Sequence, residues 1–217
     1  MSTTTEQYYQ QVADMVVFPS FELVAPYLQG RRVLDLGCGL GYYLRQFSRE
    51  SVGVEVSAPS LEACRRAGLN VLSADLNAPL PFADCSFDAI FCSHVLEHVD
   101  APIMLLRECR RLLRPGGCVV IGVPTEGSIS RALGDHYYRA HPGHLYGFSL
   151  SNLSVLLEKA GFTVARVFVD FNLVGRLRLQ RFLRLAQWLP ARWILWCSNA
   201  YWVVGATEVE QGTAGPA

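Results

Sequence analysis

The chain has 217 residues, and its 19 Lys and Arg balance 19 Asp and Glu, so the formal net charge is zero. A dedicated nucleic-acid binder carries a basic surplus, which argues against that class. With 51% hydrophobic and 18% charged residues, the chain is expected to fold around one core as a single domain and not to remain disordered.

Residues 1–28, with Phe18, Phe21, Leu23 and Val24, read as a helical N-terminal cover, and the polar start from Met1 to Gln10 has neither the basic patch nor the apolar run of a leader peptide. Short β-branched or aromatic runs then recur: Val33 to Leu36, Val52 to Val56, Val71 to Ala74, Phe87 to Cys92, Cys118 to Val123, Thr163 to Val169 and Tyr201 to Ala206. Helix candidates alternate with them at Tyr42 to Arg49, Ser60 to Ala67 and Pro102 to Leu113, the last stopped by Arg114-Pro115-Gly116-Gly117. This alternation predicts an α/β fold, a mostly parallel sheet with helices on both faces. The core is expected over 30–170, an inserted helical segment over 175–199, and a frayed tail over 208–217. Trp193 to Thr207 is too short and too polar to span a bilayer. Seven scattered cysteines, never spaced Cys-x-x-Cys, fit free thiols in a reducing compartment, so a cytoplasmic location is expected.

In an open parallel sheet, ligands bind beyond the carboxyl ends of the strands. The first of these ends carries Asp35-Leu36-Gly37-Cys38-Gly39-Leu40-Gly41. Alternate glycines permit a tight turn and close approach of backbone to a ligand, and a following helix would offer free N–H groups. A dinucleotide fingerprint would need a small third residue at position 42, where Tyr42 stands. A bland turn needs fewer glycines than these three.

The spacing Gly37-x-Gly39-x-Gly41, with Asp35 two residues ahead, resembles motif I of the class I S-adenosylmethionine-dependent methyltransferases. Other landmarks of that family follow in order: Glu55 at the second strand end with Val56 after it, Asp75 and Leu76 after the third, Ser93 after the fourth, and Leu112 to Gly117 before the fifth. The resemblance covers roughly Gly30 to Thr207. It implies a Rossmann-like sheet of seven strands in the order 3-2-1-4-5-7-6, the last antiparallel. It further implies S-adenosylmethionine as cofactor and S-adenosylhomocysteine as product. Asp35, Gly37, Cys38, Gly39 and Gly41 would form the binding loop, Glu55 and Val56 would meet the ribose, Asp75 and Leu76 the adenine, and Ser93 the methionine end.

Methyl transfer can draw much of its rate from alignment, and needs a base only where the nucleophile must lose a proton. His144, in His141-Pro142-Gly143-His144-Leu145-Tyr146-Gly147-Phe148-Ser149, resembles the His-x-x-x-Phe-Ser segment of type-11 and ubiquinone-biosynthesis methyltransferases. It is the first candidate for base or substrate-orienting group, His141 is the reserve, and Tyr137, Tyr138 and Tyr146 could line an acceptor pocket. A structural histidine fixing the loop is the competing reading. His94-Val95-Leu96-Glu97-His98 matches an inverted zinc-protease pattern, whose polar residues would share a helix face. Its place after a buried strand of a cofactor fold counts against a protease. Related quinone-biosynthesis enzymes show Glu-x-x-Glu-His here and some use a divalent metal, so an ion at His94, Glu97 and His98 is one alternative. The reading adopted is that Glu97 and His98 shape the pocket floor and that no metal is required.

From Phe171 to Thr207 there are five arginines and no acid, and all four tryptophans lie at or beyond position 188. Over 176–196 these residues form a basic amphipathic pattern that would pack on the sheet, close over an apolar acceptor, or touch a membrane surface peripherally. The acceptor expected is a small molecule, apolar, quinone-like or lipid-linked, and no nucleic acid. The alternatives are a sugar of a polysaccharide, or a partner subunit that binds the cofactor without catalysis. The oligomeric state is left open.

Overall fold

The computed structural model describes residues 20–124, 144–170 and 200–207. His141, Tyr137, Tyr138, the insertion over 175–199 and the tail over 208–217 lie outside these residues, as does all of the N-terminal cover before Ser20. The strands are β1 (Val33–Leu36), β2 (Val52–Glu55), β3 (Val71–Ser73), β4 (Phe87–Ser93), β5 (Leu113–Pro124), β6 (Thr163–Asp170) and β7 (Ala200–Ala206). They form one sheet in the order β3-β2-β1-β4-β5-β7-β6. The pairs from β3 to β5 are parallel, and β7 runs antiparallel between β5 and β6. The expected strand order is thus observed.

Alternation along the buried strands sends successive side chains to opposite faces. Leu34, Leu36, Ile90, Val119, Ile121 and Val203 join one apolar cluster, whereas Val33, Phe91, Val120, Trp202 and Val204 join another. On the first face lie the helices α3 (Pro102–Leu112) and α4 (Leu150–Lys159), through Leu105, Leu106, Leu153 and Leu157. The second face is covered by α1 (Phe21–Val24) and the turn after it. Phe91 stacks on Trp202 at 5.5 Å and meets Phe21 edge-on at 5.7 Å. The indole N–H of Trp202 donates to Ser20 Oγ at 2.9 Å, so this buried ring leaves no unpaired donor. Gly122 makes room for it, since a Cβ there would lie 2.7 Å from the indole.

Local chemistry explains the element ends. Ser149 caps α4, its Oγ accepting from the Asn152 N–H at 3.2 Å. At the other end Gly161 turns at φ +87°, and the Phe162 N–H reaches back to the Leu157 carbonyl while its ring buries in the core. The expected helix at Tyr42 to Arg49 is only a single 3₁₀ turn, Leu44–Gln46. Gly41 at φ +76° turns the chain immediately before it, and Phe47 leaves in an extended conformation, too few residues apart for a stable helix. Arg114 to Gly117 is likewise no separate turn. The residues belong to an irregular start of β5, with a register shift between the Phe87 to Leu113 and Ala89 to Cys118 pairs.

The helix α2 (Ala58–Arg66) carries Cys64; the six described cysteines are free thiols, and burial pushes those of Cys38 and Cys64 up. No helix among the described residues is long and apolar enough to cross a membrane.

Candidate active site

The glycine loop leaves β1 with Gly37, Gly39 and Gly41 at φ +65°, +52° and +76°, a region that side chains other than glycine's rarely adopt. Each glycine has a different spatial role. A Cβ on Gly37 would lie 2.4 Å from Val95 Cγ2, and one on Gly41 would lie 2.4 Å from Leu69 Cδ1. Both are therefore required by packing. Among the described residues a Cβ on Gly39 would meet nothing within 4 Å, so none of them bars a ligand from approaching the backbone of the middle glycine. Cys38, between them, is buried beneath the loop and its N–H bonds the Val54 carbonyl of β2 at 3.0 Å.

Glu55 ends β2 and is buried. Its Oε2 accepts from the Gly39 N–H at 2.9 Å, while Oε1 accepts from the N–H groups of Val56 and Ser57 at 2.8 and 2.9 Å. A carboxylate has about four acceptor positions, so these three bonds leave room for a further donor. Glu55 thus fixes the loop, a role that strand-end position alone does not reveal. Val56 beside it is 63% exposed, an apolar surface at a strand end. Asp75 is exposed two residues beyond β3, its Oδ1 accepting from the Asn77 N–H at 2.9 Å, and Leu76 packs against the core.

Asp35 lies inside β1 and is almost wholly buried, with no donor to its Oδ2 among the described residues. Burial, and then the neighbouring Glu55 carboxylate, push its carboxyl well above the usual range. A buried acceptor without a donor among the described residues suits a ligand that brings donors or positive charge. S-adenosylmethionine has both, in its ammonium, sulfonium and hydroxyl groups. The carboxyl acceptors present therefore fit that cofactor.

A second cluster stands after β4. Ser93, half-buried, is the last residue of β4 and pairs with Gly122 of β5. His94 then turns at φ +53°, its N–H donating to the Gly122 carbonyl at 2.8 Å. This conformation breaks the expected helix through His94, Glu97 and His98: only Leu96–His98 forms a 3₁₀ turn. Glu97 is fully buried, and neither carboxylate oxygen accepts a hydrogen bond from a described residue. His94 Nδ1 lies 3.5 Å and His98 Nε2 4.0 Å from its Oε1.

His144 comes to this cluster from across the chain. The Glu97 carbonyl accepts the Leu145 N–H at 2.7 Å, and the ring of His144 stands edge-on to that of His98 at 4.8 Å. Tyr146 anchors the same segment through its hydroxyl, which donates to the Asp100 carbonyl at 2.7 Å. The sequence marks His94 to His98 and His144 as separate candidates, and the fold joins them. Val95, which packs on Gly37, lies between the two centres, so both belong to one edge of the sheet.

Residues 8–167 match the family model described as a methyltransferase domain. The chain belongs to this methyltransferase family. Its class is that of the class I S-adenosylmethionine-dependent enzymes, with S-adenosylmethionine as the cofactor. The methyltransferase is 34% identical over 158 residues to a tRNA U34 carboxymethyltransferase of Desulfotalea psychrophila, covering 67% of this chain and 49% of that protein. It is also 34% identical over 102 residues to a ubiquinone biosynthesis O-methyltransferase of Paracidovorax citrulli, covering 42% and 43%. The chain spans about half the length of these curated relatives. A Haloferax volcanii methyltransferase solved in complex with the activator Trm112 shares the fold at TM-score 0.70 and 20% identity, covering 94% of this chain and 95% of that one. A SAM-dependent methyltransferase of Archaeoglobus fulgidus does so at 0.65 and 23%, covering 86% and 90%.

Proposed function

We propose that this methyltransferase moves a methyl group from S-adenosylmethionine to a small-molecule acceptor held between the glycine loop and the His144 segment. The observation that carries the reading is the pair of adjoining centres on one sheet edge, a loop with an open glycine and a buried carboxylate flanked by histidines. Gly37, Cys38, Gly39 and Gly41 cradle the cofactor, Glu55 and Val56 face its ribose, and Asp75 and Leu76 bound its adenine. Asp35 and Ser93 lie toward its methionine end. When bound, the cofactor supplies a methyl group activated by a sulfonium.

The chain's own work is alignment, exclusion of water and management of the acceptor's proton. His144 is the residue that meets the acceptor. Glu97, buried, brings a carboxyl oxygen close to the ring nitrogens of His98 and His144. His141, outside the described residues, remains the reserve. The expected location is the cytoplasm, and the basic, Trp-rich composition of 176–196 is read as a cover for an apolar acceptor or a peripheral membrane contact. The likeness to an enzyme of ubiquinone biosynthesis supports an apolar acceptor.

A nucleic-acid acceptor is the second reading, favoured by the likeness to tRNA-modifying relatives. Titration calorimetry with S-adenosylmethionine tests the first step, and absence of binding by the folded protein would overturn the reading. Incubation with methyl-labelled cofactor and either bulk tRNA or a small-molecule extract tests the acceptor. Label in the extract is expected. Label in tRNA would establish the second reading, and binding without any transfer would identify a non-catalytic subunit.

A further inference from the structure

A path of hydrogen bonds runs from the loop after β3 to the segment that carries His144. Asn77 is bonded at both ends: its N–H donates to Asp75 Oδ1 at 2.9 Å, and its Oδ1 accepts the Asp100 N–H at 2.8 Å. The Asp100 carbonyl in turn accepts from the Tyr146 hydroxyl at 2.7 Å. The N–H groups of Leu145 and Tyr146 close the path on the Glu97 carbonyl, at 2.7 and 3.3 Å. We propose that Asn77 and Tyr146 are positioning residues, joined through the main chain of Asp100, which couple occupancy of the cofactor's adenine side to the placement of the His144 segment.

Each link is seated beside an apolar anchor. Leu76 precedes Asn77 and packs against the main core, and Val99 precedes Asp100 and is buried in it. The Tyr146 ring lies 6.3 Å from that of buried Phe148. The bonded partners are 23 and 46 residues apart, so no local turn accounts for their meeting. Asn77, Asp100 and Tyr146 are exposed, and one such bond alone contributes only about 0.5–1.5 kcal/mol. In series between anchored residues the bonds act together, since ordering one end leaves less freedom to be lost at the other.

This inference rests on the reading of Asp75 as the adenine acceptor, and deepens it. An adenine amino group donating to the Asp75 carboxylate would steady the group that takes the Asn77 N–H, and through it Asp100 and Tyr146. Linkage makes the effect reciprocal: whatever loosens the Tyr146 end weakens binding at the other by the same factor.

The test reads amide hydrogen exchange residue by residue by NMR on the full chain, with S-adenosylhomocysteine as the ligand. Without ligand, Tyr146→Phe should speed exchange of the Asp100 N–H, and Asn77→Ala that of the Leu145 and Tyr146 N–H groups, each about threefold or more. In neither case is the amide that is read bonded to the altered side chain, so only transmission along the path moves it. Asp100→Ala is the control, because both of its bonds use the main chain, and it should leave these rates unchanged. With ligand, the Leu145 and Tyr146 amides should exchange more slowly in the wild type and not in Asn77→Ala. Calorimetry should find binding to Tyr146→Phe weakened about three- to tenfold. Bound ligand that leaves those amides unchanged, wild-type affinity in Tyr146→Phe, or an Asp100→Ala response equal to that of Tyr146→Phe would overturn the coupling. Absence of binding by the folded wild type defeats the cofactor reading instead, and the exchange rates without ligand then decide whether the path transmits.

Discussion

The two halves of the sheet's carboxyl edge are built on opposite terms. Around the glycine loop, Glu55 takes three backbone N–H bonds, Cys38 ties the loop to β2, and two of the three glycines are demanded by side chains packed against them. Across Val95, the second centre contains a fully buried Glu97 without a hydrogen-bond donor among the described residues, beside a histidine in a left-handed turn. The first is a scaffold that holds its shape from within. The second gathers a buried carboxyl and the imidazoles of His94, His98 and His144 in one place. Under the proposed function, rigid placement falls to the cofactor side and acid–base chemistry to the acceptor side.

That contrast is most sharply broken at His144. If it acts on the acceptor, His144→Ala should lower kcat by about 10²-fold or more, while cofactor affinity stays within twofold. Steady-state kinetics with calorimetry on the same preparation checks the split. A role confined to holding the loop predicts instead a fall in thermal stability, with loss of both parameters together.

The next effect separates two glycines that look equivalent in the sequence. Gly37→Ala forces a Cβ against Val95 and strains a φ of +65°, so it should destabilise the fold by about 2–4 kcal/mol. Gly39→Ala strains φ alone among the described residues, none of which lies within 4 Å of its Cβ. It should cost only about 1–2 kcal/mol yet weaken cofactor binding more than tenfold, since its methyl group would occupy the open space. Urea unfolding and calorimetry distinguish the two; equal stability losses would refute the assignment of separate roles.

The same contrast governs what the sequence revealed. The strand order and the turn of the glycine loop were legible, because β-branched runs and glycine spacing are local signals. The helix expected after Tyr42 was not borne out, since the glycine loop consumes the residues that would nucleate it. The second centre was visible only as fragments. His144 lies 47 residues beyond Glu97, and nothing in either stretch announces the backbone bond by which Leu145 joins them. Nor does position show that Glu55 braces the loop, because its bonds run to backbone N–H groups that every residue type but proline provides.

Asp35 is the exception on the cofactor side, a buried acceptor inside the otherwise satisfied scaffold, and it yields the smallest effect. Its folded-state pKa is raised by burial and by Glu55, so the folded protein holds this proton more tightly than the unfolded chain. The stability associated with the protonated carboxyl is fully present below about pH 4, and is lost as pH rises through the folded pKa. Without cofactor, Asp35→Asn should therefore match the wild type near pH 4 and exceed its Tm at pH 8 by ~2–4 °C, equivalent to about 1 kcal/mol. Cofactor reverses the ranking, because the carboxylate then meets the donors and positive charge it lacks, and the wild type gains the larger thermal shift. Melting curves at both pH values, with and without S-adenosylmethionine, check the crossing. A pH-independent difference between the two proteins would mean that Asp35 is already compensated within the fold, and would remove the one unsatisfied group on which the fit of the cofactor depends.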